Sequence, residues 1–200
     1  EIYTLSLHDA LPIFDFRLLF NDAEDVRAHS VHEVEVDGKK RWVDCLREYG
    51  APIDDCPFCK AGRYVNFKYF IPLFNIDANT TQVWERGKKF GSKLASICGR
   101  YAPVINHTFE IERIGKAGDQ QTTYEIYETG DADGSLEDFD FNPNPVGTII
   151  LQKSASDMEY YLKNGCFPNN GGNSRNDSAD SAPVYQRRTP ANNNGSRRVF

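Results

Sequence analysis

The stretch from His32 to Cys59 constrains this chain more than any other. It sets four metal-capable side chains at the spacing H-x12-C-x10-C-x2-C: His32, Cys45, Cys56 and Cys59. The turn Cys56-Pro57-Phe58-Cys59 brings two thiolates to one ion, because two intervening residues let backbone N–H groups point at the sulfurs. Cys45 and a histidine then close a tetrahedron, the geometry zinc accepts most readily. His29 competes with His32 for the fourth position. A site filled entirely by protein is structural, since a catalytic zinc keeps an open position. The competing readings are a disulfide framework or idle thiols. The chain has five Cys, an odd number, and no secretory signal, which favours thiols in a reducing compartment. Cys98 reads as a small core residue on a helix and Cys166 as a bystander.

Residues 1–13, EIYTLSLHDALPI, are too short and too polar to span a membrane, and Glu1 and Asp9 do not suit the basic front of a signal peptide. They match the in-frame translation of a common short-read sequencing adapter throughout. They are read as a cloning or assembly scar and set apart from the fold, so that the natural N-terminus is lost. Residues 14–167 then form one domain, large enough for a real core, with a zinc subdomain at about 29–62. From Pro168 onward the chain is Asn, Gly, Ser, Arg and Pro, which cannot bury enough apolar surface to offset ordering entropy. A disordered tail is expected at 168–200. Its Arg187-Arg188 and Arg197-Arg198 pairs suit either phosphate contact or plain solvation.

Charge is segregated along the chain. Between Lys60 and Arg100 there are eight Lys or Arg and two acids, whereas Asp119–Asp140 holds eight acids and no Lys or Arg. The overall net charge of −6 says less about a polyanion partner than this local basic segment does. No apolar run reaches the roughly 18 residues a membrane span needs.

Periodicity supplies the elements. Asp15–Asn21 and Val31–Val36 read as strands, the second alternating apolar and polar residues. Asp37-Gly38 marks a hairpin, with Arg41–Leu46 returning beside it, so that His32 and Cys45 face each other within a residue or two. Lys68–Ile76 is strand-like, with Pro72 suggesting a bulge or an edge. Thr81–Trp84 is a short strand. Phe90–Tyr101 has helical spacing, with Phe90, Leu94, Ile97 and Cys98 on one face. Thr108–Ile114 and Thr122–Tyr127 form a hairpin around Gly115–Asp119. Val146–Gln152 is a last apolar strand or a helix entry, and Ser156–Lys163 is a short helix capped by Ser156.

The metal motif, with Gly38-Lys39 between the histidine and the first cysteine and a proline inside the C-x2-C, resembles the zinc subdomain of the T4-type phage single-stranded DNA-binding (helix-destabilising) proteins. In that family twelve residues separate the histidine from the first cysteine, which selects His32 over His29. Lys68–Asp77 looks like the family strand that carries paired aromatics, and Val83–Ile97 looks like its basic Gly-Lys-Lys stretch leading into a helix. The likeness covers roughly residues 15–127. It implies a mainly β fold, an OB-fold-like five-stranded barrel with an inserted zinc subdomain and a few short helices. It also implies one structural Zn²⁺ and the coating of single-stranded DNA in phage replication, recombination and repair, in the cytoplasm of a bacterial host. The chain departs from the family in several ways: Trp42 does not align with the family's aromatic near the first cysteine, and the segment after Cys59 is shorter. The gap between Cys45 and Cys56 is one residue longer, the tail is Asn/Arg-rich rather than acidic, and no basic N-terminal arm for cooperative binding is visible. The acidic segment or the tail could meet phage replication proteins.

Sequence-neutral binding of single strands needs a basic groove for phosphates and aromatic faces for unpaired bases. Tyr69, Phe70 and Trp84 are the stacking candidates. Arg63, Lys68, Arg86, Lys88, Lys89 and Lys93 are the phosphate candidates. Tyr69 and Phe70 alternate on a strand, so one of them belongs to the core, and Tyr69 is the better outward choice because its hydroxyl tolerates water. Trp42 with Lys39, Lys40 and Arg41 makes a second basic-aromatic spot. An enzyme is not expected: there is no catalytic His/Asp/Glu constellation beyond the metal ligands, no phosphate-binding loop and no G-x-S-x-G. The alternative reading is a zinc-ribbon module that binds a protein partner through the acidic residues 119–140.

Overall fold

The computed structural model describes residues 14–48, 50–115 and 123–168. The adapter-like segment, most of the turn between the last two long strands, and the tail from 169 lie outside the described residues. The chain is mainly β. Its strands are β1 (Phe14–Leu18), β2 (His29–Val36), β3 (Lys39–Asp44), β4 (Asn66–Asn75), β5 (Thr80–Gly87), β6 (His107–Ile114), β7 (Thr123–Asp131) and the two-residue β8 (Ile150–Leu151). The helices are α1 (Pro57–Lys60), α2 (Gly91–Tyr101) and α3 (Ala155–Asn164). One mixed sheet runs β7-β6-β1-β4-β2-β3-β8, and β5 pairs with β4. All pairings are antiparallel except β3 with β8.

The long β4 organises the sheet. Its first residues pair with β2 and its last with β1 along one edge, while β5 follows the other edge from Lys68↔Gly87 to Asn75↔Thr80. Pro72 therefore sits in an interior strand, neither at a bulge nor at an edge. The reason is local: the Pro72 carbonyl accepts from Leu19 N–H just past the end of β1, so the missing N–H points to the same side, out of the β5 ladder. The β2–β3 turn is the expected hairpin, with Asp37 and Gly38 both at positive φ (52° and 73°), as a type I′ turn requires.

The expected closed five-stranded barrel is not formed. Among the described residues β5 and β7 share no ladder. Side chains bridge them instead: the Trp84 and Tyr124 rings meet edge-on at 5.7 Å, and the Arg86 guanidinium lies 4.2 Å from the Tyr124 ring centre. Lys93 of α2 donates to the Tyr124 carbonyl at 2.6 Å, using a backbone acceptor of β7 that a closing strand would otherwise take.

Two main cores result. One packs Phe16, Leu18, Ile71, Leu73, Trp84, Phe109 and Ile111 of the sheet against Leu94, Ile97 and Cys98 of α2, the helical face read from the sequence. The other builds a lobe from β2, β3, α1 and α3, where Val34, Val43 and Phe58 meet Met158 and Tyr161. The contribution of α3 extends this lobe beyond 29–62. Tyr161 ties it down by accepting from Glu35 N–H and donating to the Glu35 carbonyl, both at 3.0 Å. Ser154 caps α3 in place of Ser156, in a reciprocal box with Asp157. That start lets Met158 and Tyr161, one turn apart, both face the lobe core.

Candidate metal centre and adjoining cleft

His32, Cys45, Cys56 and Cys59 converge: their ligand atoms all lie within 4.8 Å of one another. Strand pairing does half of this. His32 is opposite Val43, so Cys45, two residues on, emerges on the same face, and its N–H bonds the Ser30 carbonyl at 2.9 Å. The other half comes from α1, which opens with Pro57 at its first turn and carries Cys59 back over Cys56. The His32 Nε2 lies 3.5 Å from Cys56 Sγ and 3.6 Å from Cys59 Sγ, and the Cys45 and Cys59 sulfurs are 3.5 Å apart. Tetrahedral zinc with Zn–S near 2.3 Å and Zn–N near 2.0–2.1 Å gives edges of about 3.8 Å between sulfurs and about 3.6 Å between nitrogen and sulfur. The residues fit that ion. A disulfide, by contrast, needs sulfurs near 2.05 Å.

The groups around the four ligands support the same assignment. His32 is fully buried, and its Nδ1 meets the Tyr64 carbonyl at 3.1 Å. Nδ1–H donating there leaves the Nε2 lone pair facing the thiols. His29 points away, edge-on to Phe70 at 6.1 Å, so it is not the fourth member. Burial pushes the Cys45 thiol up to about 12 and raises Cys59 too. Burial acts on Cys56 in the same sense, but the backbone N–H groups of Cys59, Leu46 and Phe58 together outweigh it and hold that thiol below its ordinary value. Burial also keeps His32 low, hence neutral. Three thiolates this close need a cation, and a bound dication would supply that charge.

The basic-aromatic segment divides between two sheet faces. On one, Lys68 pairs with Glu85 at 2.7 Å and lies over Trp42 at 4.8 Å, and Trp42 Nε1 also donates to Glu85 at 2.7 Å. Phe70 belongs to this face and is buried with Val31 and Ile150. The other face is graded. Ile71 and Trp84 are core, Tyr69 and Arg86 are half-buried, and Phe67 emerges exposed with the Lys88 ammonium 5.2 Å from its ring centre.

This corrects several assignments. Trp84, only 1% exposed, cannot stack on a base: α2 and Tyr124 cover it, and Phe90 meets it edge-on at 4.9 Å. Phe70 is likewise core. Tyr69 packs on the core against the start of α2. Arg86 is wedged among the Trp84, Phe90 and Tyr124 rings, and Lys93 is held by Glu125 at 2.7 Å. Arg63 lies over Phe58 and Tyr161 in the metal lobe. Of the phosphate candidates, Arg63, Lys88 and Lys89 are exposed; Lys88 and Lys89 stand on the turn after β5, and Lys88 adjoins an exposed aromatic.

Beside the metal centre a cleft of about 340 Å³ opens between residues 45–51 and the start of β4. Ser30, Cys45, Arg47, Val65 and Phe67 are among its walls. Tyr64, at 79% exposed, adjoins it in sequence. Arg47 lies outside the basic run that drew attention in the sequence. Phe67, two residues before Tyr69 and hence on its side of β4, is the signal that marked this face. A scan against protein-family models and a search of curated proteins each return no match for this chain.

Proposed function

We propose that the chain binds single-stranded DNA without sequence preference, as the likeness to the T4-type phage helix-destabilising proteins implies, and serves phage replication, recombination and repair in a bacterial cytoplasm. The observation that carries this reading is the cleft, where an exposed aromatic, Phe67, is flanked by Lys88 and by Arg47 on the wall next to the metal centre. Stacking on an aromatic face suits any unpaired base, and two cations suit the backbone beside it. The stacking role thus passes from Tyr69, Phe70 and Trp84 to Phe67, with Tyr64 three residues before it in sequence. The five strands β7-β6-β1-β4-β5 form the OB-like part, joined at its ends through Trp84, Arg86 and Tyr124 in place of a fifth ladder. Zinc, held by His32, Cys45, Cys56 and Cys59, is structural: it fixes the loop after Cys45 and so shapes one wall of the cleft.

Titrating end-labelled oligo-dT and duplex of equal length, read by anisotropy, tests this. Preference for the single strand is expected, weakened by Phe67→Ala. Equal or absent binding to both would defeat it.

A second reading has an observation of its own. On β6 and β7 the residues Glu110, Glu112 and Glu125 surround an exposed Tyr127, with the like-charged Glu112 and Glu125 directly opposite. Such a pair costs stability unless something offsets it. Lys93 offsets Glu125 in part through their 2.7 Å pair, and a basic protein partner would offset the rest; binding to one without affinity for oligo-dT would favour the interaction module.

A further inference from the structure

His107 opens β6 and Asp131 closes β7, and the two pair directly across the ladder. Glu128 stands opposite Phe109, two residues along β6 and so on the face of His107. Glu128 and Asp131 are three residues apart, which strict alternation would send to opposite faces. The register shifts between Thr108 and Phe109, and the extra residue in β7, Thr129, returns both carboxylates to the His107 side. Thr108 holds the shift: its hydroxyl donates to the Gly130 carbonyl at 3.0 Å and accepts from the Thr129 hydroxyl at 3.1 Å. The end of β7 is pinned by Ala132 N–H donating to the Asn106 carbonyl at 2.8 Å. The Tyr101 and Phe109 rings lie 5.4 and 6.2 Å from the imidazole and steady it.

We propose that His107, Glu128 and Asp131 form a separate divalent-cation site, of the Zn²⁺ class, that clips the ends of β6 and β7 together. Their ligand atoms all lie within 4.8 Å of one another. The His107 Nδ1 is 3.4 Å from Glu128 Oε1 and 3.8 Å from Asp131 Oδ1. Both separations exceed the roughly 2.7–3.2 Å of a good N–H···O bond. They come close to the edge of about 3.4 Å between nitrogen and oxygen around tetrahedral zinc. The imidazole nitrogen sets this trio apart from a patch of carboxylates, since mixed nitrogen and oxygen donors suit a borderline cation better than calcium or magnesium. The two carboxylates are open to solvent, so an ion can reach them and water can fill the remaining position. The site is distinct from the thiolate cluster: β1 and β4 lie between β6 and the strand that carries His32. With no sulfur ligand and three protein donors it should hold its ion more weakly and exchange it faster.

The test uses the full chain. Zinc retained after gel filtration is measured first. Further Zn²⁺ is then titrated calorimetrically into this protein and into His107→Ala, Glu128→Gln and Asp131→Asn. One further equivalent per chain is expected in the parent and is expected to be lost in His107→Ala and Glu128→Gln, with the zinc retained beforehand unchanged. Asp131→Asn alters a side chain that is 97% exposed, so it leaves the fold intact and should still weaken uptake. Imidazole NMR locates the ion among the four histidines of the chain. The signal absent from His107→Ala should be the one that shifts with the further equivalent. No further equivalent, uptake equal in the parent and all three variants, or a shift confined to the other histidines overturns the proposal and leaves an ion pair only. The difference between parent and variants reads this site alone, so the thiolate cluster can fail to hold zinc without deciding the result.

Discussion

Phe67 and Trp84 lie on one sheet face, and depth alone separates their roles. Trp84 sits opposite Ile71 under α2, and its indole N–H finds no acceptor among the described residues. Phe67 sits at the far end of that face, where α2 no longer covers it. Truncating each should therefore have opposite consequences. Trp84→Ala should cost about 3–5 kcal/mol of stability through a large cavity, seen in denaturant unfolding. Phe67→Ala should leave the unfolding midpoint nearly unmoved and weaken oligo-dT binding by about 1–3 kcal/mol, seen by anisotropy. In the sequence both are aromatics within the basic stretch from Lys60 to Arg100. Neither residue carries a mark of depth, because depth is set by where α2 lands on the sheet. The four candidate metal ligands were legible for the opposite reason: a tetrahedron of short bonds leaves few spacings open, and the choice of His32 over His29, made on the family resemblance, agrees with the cluster the fold brings together.

At the scale of elements, two junctions hold the site in place. The first is α2 against β4. A Cβ built on Gly91 would lie 2.5 Å from the Tyr69 hydroxyl, so the helix can start there only because that side chain is absent. Gly91→Ala should push Tyr69 off the core and cost about 1–3 kcal/mol by overpacking, and adding Tyr69→Phe should recover part of the loss in thermal unfolding. The second is the metal lobe, which α3 closes from far along the chain. Periodicity showed α3 as a helix but not its partner, since Met158 and Tyr161 suit any apolar surface. Because metal binding in such a lobe is folding free energy, Cys56→Ser should lower the melting temperature. Zinc affinity should rise with pH, because thiols such as Cys45, pushed up to about 12 by burial, must lose protons to bind the ion. Chelator competition from mildly acidic to mildly alkaline pH checks this sign, and an affinity independent of pH would count against thiolate ligation.

For the whole molecule, charge segregation along the sequence did not translate into one basic groove. Lys68, Arg86 and Lys93 are engaged by Glu85, by aromatic rings and by Glu125, leaving a smaller cationic set at the cleft, Arg47 on its wall and Lys88 over Phe67. Binding should accordingly show a modest salt dependence, with a slope of about −0.7 in log affinity against log salt for each phosphate neutralised. A slope near zero would rule out phosphate contacts. The mainly β class and most strand positions were legible from alternation, whereas closure was not, because β5 and β7 are held by side chains whose meeting depends on the whole sheet's curvature. The proposed function joins the two halves of the molecule: a lobe that a metal would fix forms one wall of a cleft whose other wall carries Phe67. Its most direct test is the affinity of the same protein for oligo-dT, at fixed salt, before and after zinc is removed by a chelator and again after zinc is restored. Affinity is expected to fall on removal and to recover on restoration. Unchanged affinity in protein shown to have lost its zinc would contradict it.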